Sequence, residues 1–216
     1  MNSFKKSLFE QFALIAKAMS NANRLEMLEF LAQCEYSVED LAAVTHLTIA
    51  NTSHHLQQLR NAGLVRTRKQ GTHVFYRLNG EKIIPLLNAL RSVAEHNLAE
   101  VESLVTTYLT SKDDMEPISR EELLAKVGLV TVVDVRPAQE YAAGHVPGAL
   151  NIPLEKLENR LSEFDPQNEI VAYCRGPHCI LAFDAVSTLR KKGFQVHRLQ
   201  DGFPEWKLSG LPIEVG

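Results

Sequence analysis

The run Ile170-Val171-Ala172-Tyr173-Cys174-Arg175-Gly176-Pro177-His178-Cys179 decides how the C-terminal half of the chain folds. Four consecutive apolar residues describe a strand buried on both faces. Gly176 and Pro177 break it, and a helix-like run covers 180–192. Outward from there, strand-like runs at 130–135 and 196–199 alternate with further helix-like runs at 119–127 and 154–164. This is the pattern of a parallel α/β sheet. It places Cys174 at the tip of a parallel strand, before a tight loop and a helix N-terminus. Loop N–H groups converging there and the helix dipole both favour thiolate over thiol. The same cradle suits a bound anion or a persulfide.

Upstream, residues 110–117 are polar and end in Pro117, which marks a linker. The expected division is therefore a domain over 1–109, the linker over 110–117 and a second domain over 118–216. The first domain reads as mainly helical. Phe4, Leu8, Phe12, Ile15 and Met19 share one face of a helix over 4–19, and a second helix covers 22–33. Ser37 opens a capping box with Asp40, ahead of a short helix from Val38 to Val44. Thr48 caps the next helix, Ile49–Asn61, which Gly63 ends. Two period-two runs, 64–68 and 73–78, flank Gly71 and form a hairpin. A helix over 81–109 follows, with a stripe through Ile83, Leu87, Leu90, Ala94, Leu98, Val101 and Val105 that is expected to pack on a partner chain.

Two short helices and a basic hairpin describe a winged helix-turn-helix that binds double-stranded DNA. In the second of those helices Thr52, Leu56 and Leu59 face the core, which leaves Asn51, Ser53, His54 and Gln57 to meet bases or phosphates. Of the two adjacent histidines, His54 is the expected reader and His55 the packer. Arg66, Arg68 and Lys69 lie on the hairpin, where a wing meets phosphates. A helical dimerisation module that never meets DNA is the bland alternative.

The run Thr52-Ser53-His54-His55-Leu56-Gln57-Gln58-Leu59-Arg60-Asn61-Ala62-Gly63-Leu64-Val65 resembles the recognition helix of ArsR-type repressors. Asn23-Arg24-Leu25-Glu26-Met27-Leu28 is similar to their second helix, and Phe75-Tyr76-Arg77-Leu78 to their second wing strand. The resemblance covers roughly 8–105 and implies a symmetric dimer held by the first and last helices, on an operator with two half-sites. The chain departs from the metal-binding members. Ser37 and Glu39 stand where a thiol pair is common, and His96 is the only histidine on the last helix, so no metal site is expected. Cys34 reads as a small buried residue, with a regulatory thiol as the minority view.

The Cys174 loop resembles the active-site loop of rhodaneses, which move sulfane sulfur through a cysteine persulfide. Val133-Asp134-Val135-Arg136, Glu140-Tyr141 and Gly144-His145-Val146-Pro147-Gly148-Ala149-Leu150-Asn151-Ile152-Pro153 look like the family's first signature, and Asp201-Gly202-Phe203 with Trp206 like its closing one. The resemblance covers about 117–214. It implies a catalytic loop of Cys174, Arg175, Gly176, Pro177, His178 and Cys179, with Asp134, Arg136 and Glu140 pairing beneath it. Many rhodaneses end this loop in Arg, which helps to bind anionic substrates; here it ends in Cys179, which argues against classical thiosulfate activity, with some anion affinity expected from Arg175. Cys179 reads equally as a thiol that resolves a Cys174 persulfide and as a small residue at a helix start. A soft-metal site at Cys174, His178 and Cys179 is a further alternative without an evident fourth ligand.

The 216 residues are ample for two cores, with 45% apolar and 23% charged residues. Charge is uneven: residues 1–112 carry +2 and residues 113–216 carry −5. Three cysteines are too few and too odd in number for a disulfide framework, so reduced thiols are expected. Neither a membrane span nor a signal peptide is legible, and a cytoplasmic homodimer is expected. The expected function is a DNA-binding regulator that carries or senses sulfane sulfur at Cys174, with small sulfur donors or acceptors and operator DNA as partners and no cofactor. The rivals are a sulfurtransferase with an accessory DNA-binding domain, and an arsenite or metal sensor.

Overall fold

The computed structural model describes residues 2–113 and 115–216; Met1, in the domain expected over 1–109, and Asp114, in the expected linker, lie outside the described residues. The chain divides into two compact units between Asn88 and Ala89.

The first unit opens with α1 (Asn2–Met19) and α2 (Ala22–Gln33), the latter capped by the Asn21 side chain, which accepts from the Arg24 N–H. A two-residue strand, β1 (Tyr36–Ser37), leads into α3 (Val38–Thr45), whose cap Ser37 accepts from the Asp40 N–H. His46 ends α3 in the left-handed region (φ 54), and Thr48 caps α4 (Ile49–Asn61). The hairpin is β2 (Val65–Gln70) and β3 (His73–Leu78), antiparallel in register from Val65↔Leu78 to Gln70↔His73. β1 pairs on the other side of β3, which completes a three-stranded sheet ordered β1-β3-β2. Met27, Leu28, Leu41, Leu56 and Leu59 are fully buried in the common core. Each contributes about 1.5–3 kcal/mol of burial.

The helix expected over 81–109 is not continuous. It is α5 (Ile83–Asn97), α6 (Ala99–Val105) and a wider π-type turn at Thr106–Thr110. Leu98 breaks it with an extended backbone (φ −114, ψ 103). Beside the break, the Asn97 side-chain amide donates to the Val93 carbonyl at 2.8 Å and competes with the backbone ladder. The stripe is divided accordingly. Ile83 is buried in the first unit's core with Leu87 packed against it, whereas Leu90 and Leu98 of the stripe are exposed.

The segment expected as a linker is docked on the second unit. Lys112 pairs with Asp184 at 2.5 Å, and the buried Asp113 accepts from Arg190 at 2.6 Å, with Arg198 at 3.5 Å. Polarity marked it as a connector, but its charges have partners on the sheet and helix beside it.

The second unit is built on four parallel strands in the order β5-β4-β6-β7: β4 (Thr131–Asp134), β5 (Leu150–Asn151), β6 (Ile170–Tyr173) and β7 (Val196–Arg198). Around them lie α7 (Arg120–Ala125), α8 (Ala138–Ala143), α9 (Ile180–Lys191) and α10 (Phe203–Leu208). The run at Leu154–Glu163 is a 3-10 helix with a kink at Arg160. Two clusters sandwich the sheet: one with Val133, Ile170, Ala172, Ala185, Val186 and Leu189, the other with Leu123, Val171, Tyr173, Phe203 and Trp206. The central β6, buried along its whole length, sends its C-terminal end to Cys174.

Candidate functional site: a thiol loop and a DNA-facing helix

The parallel sheet delivers Cys174 to the end of β6, and Cys179, five residues later, caps α9. The intervening loop folds back on itself: the Cys179 N–H donates to the Gly176 carbonyl at 3.1 Å. This brings the two thiols together, and they are joined as a disulfide with Cα atoms 6.2 Å apart, inside the usual span for such a bridge. The expectation of reduced thiols is corrected for this pair: one strand-loop-helix turn is short enough to bridge. Cys174 is buried in this state. Cys34 packs half-buried against the first unit's core.

The loop is held from beneath and from the side. Arg136 is buried and donates to both oxygens of the buried Asp134, with Nη2 at 2.5 Å, and to the Gly144 carbonyl at 2.8 Å. Its guanidinium stacks 4.4 Å from the Phe203 ring. Burial opposes the Arg136 charge, but the Asp134 hydrogen bonds and charge outweigh it and raise the pKa. Glu140 is buried, its charge also favours that of Arg136, and it grips Arg175 in a two-pronged bond, with Nε at 2.9 and 3.0 Å and Nη2 at 2.7 Å. That fork therefore faces a carboxylate of its own chain.

Reading the sequence missed the contribution of α10. The Phe203 N–H donates to the Cys174 carbonyl at 3.0 Å. Gly202 must lack a side chain, because a Cβ there would lie 2.3 Å from the backbone of Arg175 and Gly176. The run Asp201-Gly202-Phe203 was visible as a signature, but not its role as a wedge against the loop. His178 faces α5, with Nε2 at 3.0 Å from Glu95 Oε1. Burial lowers the His178 pKa; Arg91 and Arg198 add to that effect, and Glu95 opposes it. A cavity of about 330 Å³ opens beside Pro177 and His178. A larger apolar cavity of about 630 Å³, lined by Leu124, Val127 and Trp206, contains none of the expected site residues. Among the described residues, no group of three His, Cys, Asp or Glu side chains stands close enough to hold a metal ion.

In the first unit, α4 presents Asn51, Ser53, His54 and Gln57 to solvent, while Thr52, Leu56 and Leu59 are fully buried. The Thr52 hydroxyl donates to the Thr48 carbonyl at 3.0 Å, which satisfies it inside the core. The Gln57 side chain donates to Asn61 at 2.7 Å. His55 is half-buried and its pKa is lowered, first by burial and then by Arg24 and His54. Arg66 and Lys69 are exposed on β2. Arg68 donates to Glu35 at 2.7 Å and lies 5.0 Å from the Phe75 ring. Glu35 also lies 3.3 Å from Arg77, so one carboxylate braces two wing arginines. No local signal in the sequence pointed to Glu35, which comes from the loop before β1.

Two family models match the chain: a bacterial regulatory protein of the arsR family at residues 21–67, and a rhodanese-like domain at residues 119–209. The chain is 44% identical to the HTH-type transcriptional regulator Rv0324 of Mycobacterium tuberculosis, over 98% of this chain and 94% of that protein. Its C-terminal half is 32% identical to a sulfurtransferase of Allochromatium vinosum, over 49% of this chain and 95% of that protein. Among solved structures, the homodimeric winged helix-turn-helix DNA-binding domain of Mb0332 from Mycobacterium bovis is 38% identical, covering 44% of this chain and 87% of that one, with a TM-score of 0.42. With a winged helix-turn-helix ahead of a four-stranded parallel sheet, and likeness to one relative along nearly its whole length, the chain belongs to the ArsR family of transcriptional regulators and carries a rhodanese-like domain in its C-terminal half.

Proposed function

We propose that this regulator binds operator DNA as a cytoplasmic homodimer and responds to sulfane sulfur through Cys174. The observation that carries the reading is the placement of Cys174 and Cys179 at the two ends of one tight loop, within bonding reach of each other. A Cys174 thiolate attacks the terminal sulfur of a polysulfide, forms the persulfide and expels the shortened polysulfide. The Cys179 thiolate then attacks the inner sulfur of that persulfide, the Cys174–Cys179 disulfide forms, and hydrosulfide leaves. Each step is a thiolate displacement that conserves electrons. Cys179 thus takes the place of the loop arginine and turns a carrier into a switch that records sulfur exposure as a disulfide.

DNA contact is assigned to Asn51, Ser53, His54 and Gln57 on α4, with Arg66, Lys69 and the braced Arg68 on the wing. Dimerisation is assigned to α1, which exposes Phe4, Leu8, Phe9, Phe12 and Leu14. A functional boundary at the segment 110–117 separates the DNA-binding and dimerising part from the sulfur domain.

The test is intact-mass spectrometry of the reduced protein after polysulfide, with operator affinity measured on the same sample. The expected result is a sulfur adduct at Cys174 or a 174–179 crosslink, together with a change in affinity of about 5–150-fold, the range that typical coupling between sites supports. Cys174→Ser abolishes both. An adduct with unchanged affinity would instead make the C-terminal domain a sulfurtransferase carried on a DNA-binding dimer. Absence of any adduct would sink the sulfur reading.

A further inference from the structure

Arg91 and Glu95 stand four residues apart on α5 and therefore share one face of it. Both reach towards the thiol loop. Glu95 Oε1 lies 3.0 Å from His178 Nε2, and His178 immediately precedes Cys179. Arg91 Nη1 lies 3.8 Å from Glu205 Oε1. Glu205 in turn accepts from the Gly202 N–H through its other oxygen at 3.2 Å, which closes the first turn of α10. That turn is the one wedged against Arg175 and Gly176, with the Phe203 N–H on the Cys174 carbonyl. One face of α5 thus touches the loop at both ends: directly beside Cys179, and through the α10 cap beside Cys174.

We propose that Arg91 and Glu95 are positioning residues of the Cys174–Cys179 loop, and that α5 through them reads whether the two thiols are joined or separate. Joining the thiols fixes the peptide that carries His178; separating them releases it, and the Glu95 contact follows. His178 is half-buried and Glu95 is the carboxylate it faces, so the contact is sensitive to small shifts of the loop. The same helix starts at Ile83, whose side chain is buried in the core of the DNA-binding unit. The route from thiol chemistry to DNA then runs along α5 itself, not through the segment after Leu109. This deepens the sulfur-responsive reading and rests on it only for the consequence at DNA.

The experiment is hydrogen exchange of the full-length chain with the loop as dithiol, after a phosphine reductant, and as disulfide, after diamide. Diamide takes the two electrons and two protons that the thiols lose. In the wild type, amides of α5 around 91–97 should exchange about three- to tenfold more slowly in the disulfide state, the protection a partly exposed hydrogen-bonded pair sustains. Glu95→Gln should abolish that difference, and Arg91→Gln should reduce it. Both sites are partly exposed, and near-ultraviolet dichroism checks that the variants fold. Exchange in α5 that ignores the loop state, or a difference that survives undiminished in Glu95→Gln, overturns the proposal. Operator affinity on the same samples separates the two ideas. A Glu95-dependent change in α5 without a change in affinity keeps the inference and removes the regulatory reading. A sulfur-dependent affinity that Glu95→Gln leaves intact does the reverse.

Discussion

At the scale of single residues, the most consequential pair lies below the loop rather than in it. Asp134 and Arg136 are both fully buried and ion-paired with each other. A buried pair of this kind contributes little net stability as a pair, because removing both charges from water costs about as much as their attraction returns. Removing one partner is different, since it strands a charge in the core. Asp134→Ala should therefore destabilise the C-terminal unit by about 3–5 kcal/mol, read from urea unfolding followed at Trp206. Asp134→Leu with Arg136→Met should recover most of that loss, because no charge is then left alone. The motif Val133-Asp134-Val135-Arg136 made these residues visible in the sequence. The family resemblance implied that they pair beneath the loop; the grip of Glu140 on Arg175 was not legible, since it depends on where α8 sets Glu140.

At the scale of elements, α4 and the hairpin behave as their patterns dictate. Thr52, Leu56 and Leu59 are spaced to share one helical face, and that face is the buried one. The outward residues then divide by chemistry. Gln57→Ala should weaken operator binding by about 1–3 kcal/mol through a lost base contact and leave the thermal midpoint unchanged. Arg66→Ala should weaken all sequences alike and reduce the slope of log affinity against log salt by about 1, measured by fluorescence anisotropy. The same change at Arg68 should do less, because Glu35 already holds that guanidinium at 2.7 Å. The long final helix was the element least legible. Its stripe has a helical period throughout, so periodicity cannot report a single residue with extended backbone. The break at Leu98 and the docking of Asp113 on Arg190 and Arg198 are decided by contacts distant in sequence.

At the scale of the whole molecule, the first helix carries an apolar surface that its own unit leaves uncovered. Phe4 is 75% exposed, and Phe9 and Phe12 are 58% and 56% exposed. Such a row on one helix marks an interface, and its proposed occupant is a second copy of the chain. Phe9→Asp with Phe12→Asp should convert a dimer to a monomer in sedimentation equilibrium. Far-ultraviolet dichroism should stay near that of the wild type, because neither side chain is in the core. Operator affinity should fall steeply, because two linked half-site contacts become one. The uneven charge of the chain, +2 over residues 1–112 and −5 over 113–216, is consistent with only the first part meeting phosphates.

The sequence by itself determined the architecture and the chemistry on offer. Period 3.6 and period two follow from backbone geometry, so the winged helix-turn-helix and the parallel sheet were readable from where apolar residues fall. A cysteine between a buried strand and a helix was readable in the same way, because local order alone sets it. Only the tertiary structure decided which charges meet. Arg175 is held by Glu140, His178 faces Glu95, Arg68 and Arg77 share Glu35, and Asp113 ties the supposed linker to α9 and β7. These pairs join residues up to 85 positions apart in the chain, as for Asp113 and Arg198. A side-chain charge carries no mark of its partner; the partner is fixed by packing of the elements that carry them, and packing depends on the whole fold.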